Sequence, residues 1–263
     1  MRGMKPKVHR SSSNVNSAGS VKNSRQPHSS VASIPDLNQA VVACTLCPRL
    51  VAYREEIGRV KRRAYMDWDY WAKPVPGFGD PDARVLILGL APGAHGSNRT
   101  GRPFTGDGSG YFMYPVLYET GFASQSMATS RDDGMKLAGA YITAAVRCAP
   151  PANKPAPDEI ANCAHFLDAE LALLKCLKVV VALGRIGFDA YLNHLRRTGV
   201  IESRAPYEFG HGVEYKMPNG IILLGTYHPS MQNTNTGKLT KEMFRRIFDR
   251  ARVLAPGLNT PQG

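Results

Sequence analysis

Two segments carry residue types that can bind and transform a ligand. The first is a loop of small and polar residues, GLAPGAHGSNRTGRPFTGDGSG (89–110), which follows directly on the apolar run RVLILGL. Its glycines let backbone amides approach a ligand closely, and Asp107 adds a carboxylate. The second is YHPSMQN, where His228 adds an imidazole that titrates near neutral pH. Taken alone, Asp107 is more typical of a turn aspartate and His228 of a structural histidine.

Four cysteines form a second chemical constellation. Cys44 and Cys47 have the C-x2-C spacing, and Cys148 and Cys163 flank fourteen residues. If these thiols meet, they can ligate a zinc ion or an iron–sulfur cluster, or they can be unrelated buried thiols. The spacing favours ligation by about two to one and leaves zinc and cluster both open. The fifth cysteine, Cys176, has no partner nearby in the sequence and is interpreted as core packing within an apolar helix.

The elements that must position these residues follow from the hydrophobic period. Near-continuous apolar runs are typical of buried central strands. The chain has four such runs: RVLILGLA (84–91), AYITAAV (140–146), LKVVVALG (177–184) and GIILLGTY (220–227).

Helical patterns alternate with these runs and end at glycine or proline signals. They are SGYFMYPVLYET before Gly121, PDEIANCAHFLDAELALLK from Pro157, RIGFDAYLNHLRRT before Gly199, and LTKEMFRRIFDRARVL before Pro256. The alternation predicts an α/β fold over residues 34–257, a single three-layer α/β/α domain with a mostly parallel four-stranded central sheet, preceded by a helix around residues 36–58. Ligands of such sheets bind beyond the carboxyl ends of the strands. Both chemical segments lie there, so we expect them to share one cleft.

Charge and composition limit the partners. The net charge is +12, and half of it comes from residues 1–33, which contain many serines and no acidic residue. That composition predicts a disordered basic tail. The remaining positive charge fits a polyanion such as nucleic acid and, equally, a role in solubility. The sequence has neither an apolar run of the roughly 20 residues that a membrane span needs nor a secretory signal, so we expect a cytoplasmic protein.

Three ordered motifs carry a resemblance to a known family. GLAPGAHGSNRTGRPFTGDGSG, YITAAVRCAPPANKPAP and YHPSMQNTNTGKLT, with the cysteine spacing, resemble the uracil-DNA glycosylase superfamily, most closely its family 5, often called UDGb. The resemblance spans residues 40–252. It implies a monofunctional base-excision glycosylase that acts on DNA, leaves an abasic site, and is monomeric, prokaryotic and nucleoid-associated. It also implies a structural 4Fe–4S cluster with Cys44, Cys47, Cys148 and Cys163 as its ligands.

The resemblance assigns roles to individual residues. Breaking an N-glycosidic bond leaves positive charge on the sugar and negative charge on the base, so a group is needed on each side. Asp107 would activate water or stabilise the sugar, and His228 would hydrogen-bond the base carbonyl. The base must leave the stack to react, and Phe104 offers a face for it. The remaining expected substrate contacts are Gly89, Ala91, Gly93, Asn98, Asn153, Gln232 and Asn233, the last two as wedges that fill the gap in the DNA. Two of these have a second role open: Asn98 would hold either the nucleotide or the loop itself, and Asn153 is equally typical of a turn residue.

Two departures from family 4 bear on specificity. Leu90 and Ala144 stand where those relatives have an acidic residue and an asparagine that reads uracil. Losing a fixed donor–acceptor pattern removes the penalty against other bases. We therefore expect a broad range that includes hypoxanthine and ethenocytosine, with Asn153 as the substitute polar contact.

Phosphate contacts are expected from residues near both motifs, since such contacts position DNA without reading its sequence. The candidates are Arg99, Arg102, Ser230 and Lys238.

Two rival classes remain. A non-catalytic iron–sulfur protein that binds damaged DNA is compatible with Leu90, although Asp107 argues against it. A nucleotide-binding enzyme ranks third, because the glycine loop lacks the Gly-Lys-Ser/Thr end of a P-loop and the G-x-G-x-x-G of a dinucleotide site.

Overall fold

The computed structural model describes residues 31–257. The predicted basic tail therefore lies outside the described residues, except for residues 31–33. In that short stretch, the Ser33 hydroxyl accepts a hydrogen bond from the backbone N–H of Asp36 and caps the first helix, α1 (Ile34–Val42). Ser33 thus contributes to the folded unit, because a capped N–H group is one that the helix itself cannot satisfy.

A mixed sheet of six strands forms the centre of the described part of the chain. Its order is β1-β3-β2-β4-β6-β5. The four strands predicted from the apolar runs are present and parallel. The four-stranded prediction is incomplete, because β1 and β5 add antiparallel edges and are too short to show a hydrophobic period. The strands are β1 (Phe78–Gly79), β2 (Val85–Gly89), β3 (Ala140–Ala144), β4 (Val179–Leu183), β5 (Glu214–Lys216) and β6 (Ile222–Thr226).

The four helices that the sequence places between and after the strands are confirmed, but the helix predicted around residues 36–58 is wrong as a single element. It is two helices joined by residues 43–47, which carry Cys44 and Cys47, and Pro48 starts the second helix. Cys176 lies in the turn after α5 rather than inside it. The helices after α1 are α2 (Pro48–Val60), α3 (Ser97–Thr100), α4 (Gly108–Glu119), α5 (Pro157–Leu173), α6 (Arg185–Arg197), α7 (Met231–Asn235) and α8 (Lys241–Leu254).

Alternate side chains of the buried strands build two core layers. Val85 and Ile87 of β2 pack with residues of α4 and α8, whereas Leu86 and Leu88 pack with residues of α6. Each such side chain contributes roughly 1.5–3 kcal/mol by leaving water. The three-layer prediction is thereby confirmed. No helix within the described residues is long and apolar enough to cross a membrane.

Candidate active site

A cavity of about 890 Å³ lies at the carboxyl edge of the parallel strands. Residues 90–97 and 106–109 form much of its wall, together with residues after β3 and after β6. Parallel strands place their carboxyl ends at one edge, which brings these distant segments together. The predicted residues that line it are Ala91, Gly93, Phe104, Asp107, Asn153, His228, Ser230 and Gln232.

Asp107 is held at the start of α4. Its carboxylate caps the helix by accepting a hydrogen bond of 2.9 Å from the Gly110 N–H. Burial raises the pKa of the Asp107 carboxyl, while the N–H groups of Gly110 and Ser109 and the charge of Arg99 partly oppose that rise. Asp107 is therefore a partly buried carboxylate on the cavity wall with a raised affinity for protons, the property needed to take a proton from water.

The glycines of the loop leave room for Asp107. A Cβ at Gly96 would overlap the Asp107 carboxylate, and one at Gly93 would lie 3.1 Å from its Oδ2. Close approach therefore explains two glycines that the sequence linked only to a bound nucleotide.

Gly96→Ala is expected to lower the rate of base release more than tenfold, because misplacing a reacting group by about 1 Å can cost 10²-fold. Single-turnover assays on a uracil duplex measure this loss. Gly199→Ala is the control for lost stability: its φ of 73° strains the new side chain, but no atom lies within 4 Å of the added Cβ and the residue lies outside the cavity. A rate for Gly96→Ala equal to that of this control contradicts the placement of Asp107.

Phe104 lies across the cavity in a left-handed backbone conformation, with φ of 51°. Its N–H donates to the Ser97 hydroxyl at 3.0 Å, and its ring centroid lies 5.9 Å from that of His228. A non-glycine residue in this conformation costs about 1–3 kcal/mol and is concentrated at functional sites. Gly89 does not line the cavity; a Cβ there would lie 2.8 Å from the Phe104 ring. Gly89 is therefore not a substrate contact as predicted; its lack of a side chain leaves room for the Phe104 ring.

His228 faces the cavity from the loop after β6. Burial lowers the pKa of its imidazole to about 4. The ring is therefore neutral at pH 7, so it can donate one hydrogen bond without carrying charge. The amide of Asn233 donates to the His228 carbonyl at 2.8 Å, and the Ser230 hydroxyl caps α7.

Comparison with known proteins decides the family. Residues 76–252 match the Uracil DNA glycosylase superfamily. A protein named type-5 uracil-DNA glycosylase from Thermus thermophilus is 56% identical over 218 residues, covering 82% of this chain and 96% of its own length. The chain belongs to the uracil-DNA glycosylase superfamily. A type-5 relative from Mycobacterium bovis is 46% identical over 224 residues (85% of this chain, 82% of its own). A type-4 relative from Sulfurisphaera tokodaii is 29% identical over 189 residues (70% and 77%).

Two predicted substrate contacts of the glycosylase prove to hold its loops. Asn98 is buried outside the cavity wall, and its amide donates to the Arg54 carbonyl at 3.2 Å. This contact fits a role of Asn98 in holding the loop rather than the nucleotide. The side-chain amide of Asn233 likewise donates to the His228 carbonyl, so Asn233 holds the loop after β6 rather than acting as the predicted wedge.

Arg99 and Arg102 do not suit the predicted phosphate contacts, because both side chains are buried and donate hydrogen bonds within the protein. Arg99 donates to the carbonyls of His95 and Gly106 and lies about 4 Å from the rings of Tyr65 and Trp68. Arg102 forms a bidentate salt bridge with the Asp133 carboxylate. A sequence motif cannot distinguish a buried arginine from an exposed one. Ser230 on the cavity wall and the exposed Lys238 remain candidates.

Arg102→Met is expected to destabilise the glycosylase by about 3–5 kcal/mol, because it leaves the buried Asp133 carboxylate without its cation. Binding to DNA should keep its salt dependence, since no phosphate contact is lost. Chemical denaturation and binding titrations at several salt concentrations measure the two effects. Arg246→Met, at an exposed position, is the control for stability. A flatter salt dependence in Arg102→Met contradicts this interpretation.

Several residues at or beside the cavity were not predicted from the sequence. Tyr70 hydrogen-bonds the ring of His95 at 3.1 Å, and His95 lines the wall. Tyr111 and Met231 are both exposed at the rim, Met231 with 61% of its surface accessible. Tyr111 lies within a helical pattern that gives no sign of a cavity residue. Met231 directly follows the HPS motif, so its position near the cavity could have been predicted from the sequence.

The four predicted cysteine ligands lie in one cluster beside α1, α2 and α5. Burial raises the pKa of Cys148 to about 11 and that of Cys163 to about 12. N–H groups donate to three of the sulfurs: Arg54 to Cys148, Asn162 to Cys47 and the Arg147 amide to Cys163. Within the described residues, no three Cys, His, Asp or Glu side chains form a site for a metal ion.

Proposed function

We propose that this DNA glycosylase hydrolyses the N-glycosidic bond of uracil and of other deaminated or damaged bases flipped out of DNA, leaving an abasic site. The observation that carries the proposal is the single cavity that Asp107 and His228 share. Its volume of about 890 Å³ suits a nucleoside, whose reacting bond can lie between the two side chains.

The chemistry follows from the charge of these two groups. Asp107 holds a water molecule and accepts its proton as water attacks the sugar, and it stabilises the positive charge that develops there. His228 donates a hydrogen bond to the oxygen of the departing base. Because the low pKa keeps its ring neutral, His228 stabilises the leaving base without protonating it first.

Broad specificity rests on the apolar wall of the cavity. Leu90 and Ala144 both line it and offer no side-chain donor or acceptor. A wall without such groups does not reject a base for a mismatched edge. Asn153 lies exposed at the rim with φ of 55°, where its amide can reach the base.

DNA contacts come from α7 and the segment after it. Met231 and Gln232 are exposed at the rim, and apolar side chains such as Met are suited to separating stacked bases. We therefore assign the wedge to Met231 and Gln232 in place of Gln232 and Asn233. Ser230 and Lys238 contact the flanking phosphates.

The four thiols suit a 4Fe–4S cluster held by Cys44, Cys47, Cys148 and Cys163. Three observations support the fit: the sulfurs share one buried cluster, N–H groups point at three of them, and the guanidinium of Arg54 supplies positive charge. Hydrogen bonds of this kind stabilise and tune cluster sulfurs. Bound there, the cluster would be held by cysteines from the α1–α2 connection, from the segment after β3 and from α5.

Ala144→Asn tests the substrate range. We expect the variant to retain uracil release and to lose at least tenfold on hypoxanthine and ethenocytosine, because the new amide imposes an edge pattern. Single-turnover rates on three matched duplexes measure this. Ala205→Asn, at an exposed position outside the cavity, is the control. Wild-type protein that releases only uracil refutes the broad range, and protein that binds these duplexes without releasing any base supports the non-catalytic alternative.

A further inference from the structure

Arg54 is a buried cation without a buried carboxylate beside it. It lies on α2 with 3% of its surface exposed. The carboxylate paired with it belongs to Glu55 at 3.6 Å, and that side chain is 60% exposed. Its Nε has no hydrogen-bond partner among the described residues. A buried charge costs several kcal/mol unless an opposite charge compensates it, so Arg54 requires another anion.

The remaining contact of the guanidinium is a sulfur. Nη1 of Arg54 lies 3.6 Å from Sγ of Cys148. A neutral thiol accepts hydrogen bonds weakly, whereas a thiolate is an anion. Cysteine bound to a metal or cluster is deprotonated. The position of Arg54 therefore fits a counter-ion for the thiolate set that Cys148 belongs to.

The backbone of the same residue contacts the catalytic loop. The Arg54 carbonyl accepts the hydrogen bond from Asn98, which is fully buried on α3. The next residue, Arg99, donates to the Gly106 carbonyl at 2.7 Å, and Gly106 directly precedes Asp107. The four-residue helix α3 thus joins Arg54 on one side to the backbone beside Asp107 on the other.

We propose that Arg54 is a positioning residue that fixes the catalytic loop to the cysteine cluster: its guanidinium neutralises the Cys148 thiolate, and its carbonyl anchors Asn98 and through α3 the backbone of Asp107. The inference rests on the proposed glycosylase activity and cluster. It adds a connection between them that neither requires by itself.

Arg49 on the same helix provides a matched comparison. It is also close to the cysteines, but its guanidinium pairs with Glu159 at 2.7 Å and is half exposed. Its side chain donates to the Lys154 carbonyl and has no hydrogen bond to α3 within the described residues. Arg49→Met therefore removes a cation near the cluster without touching the connection.

The experiment is a double-mutant cycle with Arg54→Met, Asn98→Ala and the double variant of the holoprotein. We expect Arg54→Met to move the cluster's midpoint potential to more negative values, because a positive charge is lost, and to slow uracil release, because the backbone that anchors Asn98 is no longer held to Cys148. We expect Asn98→Ala to leave the potential unchanged and to slow uracil release roughly tenfold, the effect of one buried hydrogen bond. The double variant should be no slower than the slower single variant, since both break one connection. Arg49→Met should keep the wild-type rate and combine additively with Asn98→Ala.

Additive effects of Arg54→Met and Asn98→Ala, or an unchanged potential in Arg54→Met, overturn the proposal. Arg54→Lys should restore most of the potential because it retains the charge; if Arg54→Met fails to fold, the neutral variant Arg54→Gln takes its place in the cycle. The rate of amide hydrogen exchange in residues 104–110 compares the same variants without any turnover of substrate. Protein that holds iron but releases no base thus refutes the proposed function alone, and active protein without iron refutes the role of the guanidinium.

Discussion

Asp107→Asn is expected to lower the single-turnover rate of uracil release by about 10²- to 10⁴-fold, the range for removing a general base. The amide cannot accept a proton from water and carries no negative charge to stabilise the sugar. Its oxygen can still accept the hydrogen bond that Gly110 donates, so α4 keeps its cap. Rapid-quench assays with enzyme in excess over the duplex measure the chemical step directly.

The controls separate the charge of Asp107 from its capping role. Asp107→Ala removes both and should also destabilise the protein by about 1 kcal/mol, as loss of a cap does. Thr240→Ala removes a comparable cap, that of α8, at a residue that does not line the cavity, and should lower stability alone. An Asp107→Asn rate within threefold of wild type would refute the role of the carboxylate.

His228→Ala is expected to slow base release by about 10²- to 10³-fold, because one hydrogen-bond donor to the departing oxygen is lost. His228→Gln keeps a hydrogen-bond donor, so its rate of base release should fall less than that of His228→Ala. If both variants are equally slow, the ring acts by shape rather than by its hydrogen bond. If neither is slower than wild type, His228 has no part in the chemistry.

The depressed pKa of His228 also predicts a pH dependence of stability. The native ring stays neutral down to pH of about 4, whereas the unfolded ring gains a proton below about pH 6.5. Between these values the unfolded state binds more protons, so the free energy of unfolding falls as pH falls, by up to about 1.4 kcal/mol per pH unit. At pH 7 and above the group has no effect. Urea unfolding of wild type and His228→Gln from pH 4 to 7 tests this, and equal slopes would contradict it.

The central strands and the helices around them were predictable because burial imposes its pattern over many residues. Val179–Leu183 is continuously apolar, and Gly121 and Gly199 both adopt positive φ where the sequence ends a helix. The edge strands were not predictable: Phe78–Gly79 has two residues and takes its conformation from pairing with β3. Pro48 is a sequence signal for the break between α1 and α2, but the helical pattern on both sides of it favoured a single helix.

Motifs placed the cavity but could not tell which side chains face it. Asp107 and His228 line it, whereas Asn98 and Arg99 from the same loop point into the protein. On α3, Ser97 lines the cavity and the next two residues do not, because the direction of a side chain on a four-residue helix depends on tertiary packing. For the same reason the sequence showed Cys148 but gave no sign of the guanidinium of Arg54 beside it.

The most direct test is to mix excess wild-type protein or Asp107→Asn with a duplex carrying one uracil, and to quantify free base and abasic DNA by mass spectrometry. We expect wild type to release one uracil for each abasic site, and Asp107→Asn to bind the duplex with at most a trace of either product. Wild-type protein that binds the duplex but releases no base would contradict the proposal that this cavity is a glycosylase active site.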